Sequence, residues 1–114
     1  CPTCKEAYTP PAQIINEIKI ILGSLFPNNG KAVQLYKGKG CQECGDSGYL
    51  GRVGIYEVIP VTEKIGHLVL ERPDADTIEK EATVEGMITM KQDGYLKALA
   101  GVTTVEEVLR VAQE

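Results

Sequence analysis

The chain has 114 residues, 43% hydrophobic and 25% charged, with a formal net charge of −4. That size suits one domain or two small subdomains, and the balance is that of an ordinary soluble globular protein. No apolar run approaches the ~18 residues of a membrane span, no signal peptide is visible, and the acidic balance argues against nucleic acid as the main partner.

The chain starts at Cys1 instead of methionine, so it is read as a piece of a larger protein or a processed product. Charge is uneven along it. Residues 1–40 carry five lysines against Glu6 and Glu17, for +3, whereas residues 41–114 carry seven basic and fourteen acidic side chains, for −7. With no tryptophan and one phenylalanine, the core must be built mostly from Ile, Val and Leu.

Cys1-Pro-Thr-Cys4 opens the chain as a Cys-x-x-Cys turn. Thr9-Pro-Pro follows as a helix start, with Thr9 able to cap. Ile14, Ile18, Ile21, Leu22 and Leu25 then recur at helical spacing and predict a helix over 12–25. Pro27-Asn-Asn-Gly30 is a turn, and Ala32 to Tyr36 alternates weakly as a short strand. Cys41-Gln-Glu-Cys44 is the second Cys-x-x-Cys. Gly45 after it can take positive φ and let backbone N–H groups point at the sulfurs. Arg52 to Val61 reads as a strand stopped near Pro60. Helices are predicted over 62–70, 76–84 and 87–100, the last weakened by Gly94. A final helix is capped by Thr103 or Thr104, with Glu106 and Glu107 as capping-box partners and Val105, Val108, Leu109 and Ala112 facing inward.

The four cysteines carry the chemistry. Zinc prefers four soft ligands in a tetrahedron, and two matched turns supply them as Cys1, Cys4, Cys41 and Cys44. The spacer between the pairs is longer than in common zinc ribbons, but loop closure grows only logarithmically with length. Disulfides or a redox pair are the rival readings, disfavoured without a secretory signal. A four-cysteine site has no open position for substrate, so the zinc should be structural. Lys31, Lys37 and Lys39 can offset its thiolate charge or form a solvated face or partner patch. His67, the only histidine, is expected to be an ordinary surface or half-buried residue. Arg52 is expected to brace its glycine-rich turn, with a phosphate or carboxylate contact as the functional alternative. Asp46 and Glu57 are not an obvious acid/base pair. Lys37-Gly-Lys-Gly40 lacks the order of a phosphate loop, so this chain is not expected to bind ATP by itself.

The order of motifs resembles a known family. CPTC, then CQECGDSGYLGRVGIYEV, then EGMITMKQDGYLKALAGVTTVEEVLRV is similar to the C-terminal end of the traffic ATPases of type II secretion and type IV pilus assembly. The match runs through Ser47, Gly48, Tyr49, Gly51, Arg52, Gly54 to Glu57, Gly86, Met87, Thr89, Asp93, Gly94, and Thr103 to Glu107. The resemblance implies a cytoplasmic homohexameric motor, peripheral at the inner membrane and coupled there to platform proteins. It implies that ATP and Mg²⁺ bind in the parent upstream of this region, leaving no catalytic residue here. It also implies that Cys1, Cys4, Cys41 and Cys44 hold one Zn²⁺.

The expected fold class is α+β: a small tetracysteine zinc-binding module of a helix and short antiparallel strands over 1–60, followed by a small helical subdomain over 61–114. One rival is a chaperone-type zinc module, because CQECGDSG is similar to the repeats of J-domain co-chaperones. Here only a half-repeat appears, and its second glycine is displaced. A zinc ribbon of the translation or transcription machinery is a third reading.

Overall fold

Two short strands, five helices and a long irregular segment make up the computed structural model, which describes residues 1–27 and 29–112. Strand β1 is Lys5–Tyr8 and β2 is Leu35–Gly38. They pair antiparallel, with Lys5 opposite Gly38 and Tyr8 opposite Leu35. The sequence places a strand over 32–36; β2 instead lies at 35–38, and its partner β1 has no counterpart in the sequence reading. Lys-Glu-Ala-Tyr carries no clear alternation. Its pairing follows from the two cysteine turns, which lie together at one end of the strand pair and bring Lys39 N to Cys4 O at 3.1 Å.

Helix α1 spans Ala12–Leu22 and is shorter than the apolar period suggests. Gly23 takes φ 52°, outside the helical region, and residues Gly23–Leu25 form a 3-10 turn. Pro11 occupies the N-cap and no side chain caps the helix, so Thr9 does not have the role its position suggests.

Helices α2 (Glu63–Leu70), α3 (Ala75–Val84), α4 (Met90–Leu99) and α5 (Val105–Val111) each begin on a side-chain cap. Thr62, Asp74, Thr89 and Thr104 accept from the N–H groups of Ile65, Thr77, Gln92 and Glu107. Each satisfies a donor that a helix start leaves free. Thr89 and Gln92 form a full capping box, so α4 starts at Met90 and not at Met87. The capping box expected at α5 is not completed, because the Glu107 carboxylate pairs with Arg110 instead. Leu109, expected inward, is 39% exposed.

The main core joins Ile18 and Leu22 of α1, Leu35 of β2, Tyr95 and Ala98 of α4, and Val105, Val108 and Ala112 around α5. A separate cluster of Ile65, Ala82 and Met87 lies under α2 and α3. Gly94 is a packing residue: a Cβ there would meet Val108 Cγ1 at 2.6 Å, so the glycine lets α4 and α5 approach. The residues expected as a strand over 52–61 form none. Two side chains of α4 bond their backbone in place of a sheet neighbour: Asp93 accepts from Tyr56 N and Lys97 donates to Gly54 O. No helix among the described residues is long and apolar enough to cross a membrane.

Candidate metal centre

The second cysteine turn is shaped by backbone geometry. Gln42–Cys44 is one 3-10 turn, and Gly45 follows in the left-handed region at φ 61°. Asp46 repeats that φ of 61° and its N–H returns to Cys41 O at 2.9 Å. This reversal aims the N–H groups of Cys41 and Gly48 at Cys44 Sγ, each at 3.3 Å. The first turn closes with Lys5 N donating to Cys1 O at 3.0 Å. Thr3 Oγ1 donates to the Glu43 carboxylate, and the Cys1 backbone nitrogen donates to Gly48 O at 2.7 Å, so the two turns are tied directly.

The four sulfurs lie within 4.8 Å of one another. Cys1 Sγ is 3.8 Å from Cys41 Sγ, Cys4 Sγ is 3.9 Å from Cys44 Sγ, and Cys41 and Cys44 are 3.6 Å apart. Four thiolates about 2.3 Å from one Zn²⁺ in a tetrahedron are about 3.8 Å from each other. The spacing therefore fits a tetrahedral ion, and it is well beyond the ~2 Å of a disulfide. All four cysteines are free.

The thiols are not equivalent. At Cys44 burial pushes the pKa up, but the N–H groups of Gly48 and Cys41 favour the thiolate more strongly and bring it down to about 7. At Cys4 burial prevails, helped by the neighbouring Cys44 and Cys41, and the pKa is raised. A thiolate is the metal-binding form, and the turn favours that form at Cys44.

Two glycines let the backbone close around the site. A Cβ on Gly38 would meet Gly48 O at 2.3 Å, and one on Gly40 would meet Asp46 O at 2.8 Å. The end of β2 thus crosses the second cysteine turn with backbone against backbone. Farther out, Tyr49 Oη and Thr104 Oγ1 share a hydrogen bond of 2.8 Å, and Lys5 Nζ donates to Gly101 O at 3.0 Å. Tyr36 lies under both Lys5 and Gly101. These contacts link the cysteine turns to the α4–α5 corner. Sequence reasoning missed them, although Tyr49, Gly101 and Thr104 all stand within the quoted motifs.

The remaining singled-out residues lie elsewhere. His67 is on α2, its side chain 73% exposed and 4.0 Å from the Glu63 carboxylate. Glu57 accepts from Met90 N at the start of α4 and does not pair with Asp46. Lys39 pairs with Glu6 on the strand surface. Arg52 is exposed beside a groove and has no ion-pair partner among the described residues.

Fold and site together define a small unit of helices and a two-stranded antiparallel sheet with a cluster of four cysteines at one end. A family model described as type II/IV secretion system protein matches residues 1–110, and the chain belongs to that family. It is similar to the type IV pilus assembly ATPase PilB of Thermus thermophilus, 36% identical over 109 residues, which are 96% of this chain and 12% of that protein. PilB of Myxococcus xanthus is also 36% identical over 109 residues, 96% of this chain and 19% of the relative. Type II secretion system protein E of Pseudomonas aeruginosa is 36% identical over 114 residues, 100% of this chain and 21% of the relative. The chain thus spans between 12% and 21% of the length of these relatives.

Proposed function

We propose that this chain is the C-terminal zinc-binding region of a hexameric secretion or pilus-assembly ATPase, with one structural Zn²⁺ on Cys1, Cys4, Cys41 and Cys44. The observation that carries the metal reading is the sulfur cluster, three of whose edges, at 3.6 to 3.9 Å, match a tetrahedral thiolate site and all of whose edges lie within 4.8 Å. Residues 1–60 form the tetracysteine module and residues 61–114 the helical part, with the α1–β2–α4–α5 core as the seam between them. The region has no catalytic role of its own; ATP and Mg²⁺ are handled elsewhere in the parent polypeptide.

The zinc fixes a surface through which the motor is coupled to inner-membrane platform proteins, and the parent works in the cytoplasm, held at the membrane by those partners. The coupling reading is motivated by the contacts from Lys5 and Tyr49 to Gly101 and Thr104, which join the clamped turns to the helical corner.

The purified chain should hold one zinc per molecule. Metal analysis finding none, or mass spectrometry finding two native disulfides, overturns the site. In the parent, Cys41→Ser with Cys44→Ser should impair secretion or pilus assembly far more than nucleotide binding. A double variant that is abundant, hexameric and fully competent in assembly shows that zinc is not needed for coupling.

A further inference from the structure

We infer that the groove beside Arg52 is a docking site, and that its partner is an amphipathic helix with aliphatic anchors and an acidic flank, presented by an inner-membrane platform protein. The inference rests on the coupling reading and names the chemistry of the partner.

The groove has a volume of about 940 Å³. Leu50, Val53 and Ile55 line one side, and Val102, Val108 and Val111 line the other. Leu50, Val53, Val102 and Val111 are 49% to 55% exposed. Aliphatic side chains left half-covered around a concave surface are a place for other aliphatic side chains. A helix supplies them in a stripe at i, i+3 or i+4, and i+7, and its own backbone bonds are already made.

Charge selects the sign of the partner. Lys5, Arg52 and Arg110 line the groove against one carboxylate, Glu107. This inverts the balance of residues 41–114, where fourteen acidic side chains outnumber seven basic ones. Two of the three cations are engaged: Lys5 Nζ donates to Gly101 O, and Arg110 donates to both carboxylate oxygens of Glu107. Arg52 is exposed and has no hydrogen-bond or ion-pair partner among the described residues. Its guanidinium is a planar fork that matches a carboxylate, so an Asp or Glu beside the apolar stripe is its complement.

The position of the groove links it to the cysteine cluster. Cys1 and Pro2 of the first cysteine turn line it, and so do Val102 and Thr103 between α4 and α5. Lys5 and Tyr49, which bond the cysteine turns to that link, also line it. Opening the cluster therefore releases part of the groove wall. A partner must then order that wall on binding, which costs affinity.

Overlapping peptides of about 20 residues from the cytoplasmic segments of the machine's inner-membrane proteins, titrated against the full-length ATPase by fluorescence anisotropy, test this. The peptides that bind should be acidic, with aliphatic residues at helical spacing. Arg52→Glu should weaken them roughly 10-fold or more, through a lost attraction and a new repulsion. Replacing the peptide's acidic residue by Lys should weaken binding to the parent and restore it to Arg52→Glu. Val102→Asp, which puts a charge into the apolar wall, should weaken the same peptides. Both positions are exposed, so the melting temperature should stay that of the parent. Peptides that bind Arg52→Glu and Val102→Asp as tightly as the parent overturn the groove and leave the coupling reading standing. If no peptide binds the parent, the coupling reading fails and the groove with it. Thiol labelling separates the other occupants. Val102→Cys in the full-length ATPase should react with a maleimide at a rate similar to Ile20→Cys, a position 81% exposed, and a binding peptide should slow it. Protection at 102 without peptide at every concentration assigns the groove to the ATPase's own polypeptide, and protection that grows with concentration assigns it to a second copy. Either result overturns the inference.

Discussion

Gly38→Ala is a stringent perturbation of the site because it touches no cysteine. A Cβ at this position meets Gly48 O at 2.3 Å, Gly48 Cα at 2.6 Å and Gly48 C at 2.8 Å. All three are backbone atoms and cannot rotate away. To regain ordinary contact the end of β2 and the second cysteine turn must part by roughly 1 Å. Gly48 is a poor place to accept that shift. Its N–H donates to Cys44 Sγ and its carbonyl accepts from the Cys1 backbone nitrogen, so the displacement reaches both cysteine turns. Overpacking of this kind costs about 1–3 kcal/mol. If the strain falls on the metal-holding arrangement, zinc affinity should drop roughly 5- to 150-fold. Competition with a chromophoric chelator reads this directly. Gly38→Ala that binds zinc within twofold of the parent, with an unchanged melting temperature, would refute the reasoning.

Three other perturbations probe the helices. Gly66→Ala should stabilise the protein by about 0.5–1 kcal/mol in denaturant unfolding, since Gly66 lies inside α2 and a Cβ there meets nothing within 4 Å. Gly94→Ala should destabilise it by about 1–3 kcal/mol in the same assay, despite better helix propensity, because of the 2.6 Å approach to Val108. Asp93 should show a depressed pKa in NMR titration. Partial burial raises it, but the Lys97 ammonium and Tyr56 N–H outweigh that and lower it. The stability it contributes is therefore present above the ordinary aspartate pKa of about 3.9 and is lost as pH falls through the lower folded value. Asp93→Asn should flatten that acid limb of thermal stability, and an unchanged limb assigns it to other carboxylates.

Chemistry was easier to read from the sequence than pairing. Two Cys-x-x-Cys turns are local signals, and their convergence follows from there being four thiols and two turns. The cap at Thr104 is local too and is among those the sequence suggests; the caps at Asp74 and Thr89 are equally local, each side chain reaching an N–H three residues on, but the apolar pattern passes over them and carries the third helix back to Met87. Strands depend on distant neighbours. Lys5–Tyr8 is a strand only because the cysteine turns place β2 beside it, and 52–61 has strand composition without a described neighbour. Gly94 misleads for a similar reason: its helix propensity is local, whereas its purpose is the distance to Val108. The end of α1 turns on the backbone of Gly23, which an apolar period of Ile and Leu passes over.

The bond between Tyr49 and Thr104 has a mechanical consequence. Thr104 is the residue on which α5 starts, and Tyr49 stands directly after the glycine that touches Cys44 and Cys1. Lys5, on the first strand residue after Cys4, grips the neighbouring Gly101 carbonyl. The two cysteine turns are thus bonded to both ends of the short link between α4 and α5. Moving the cysteine turns relative to the helices therefore requires breaking the bonds at the end of α4 and at the start of α5 together.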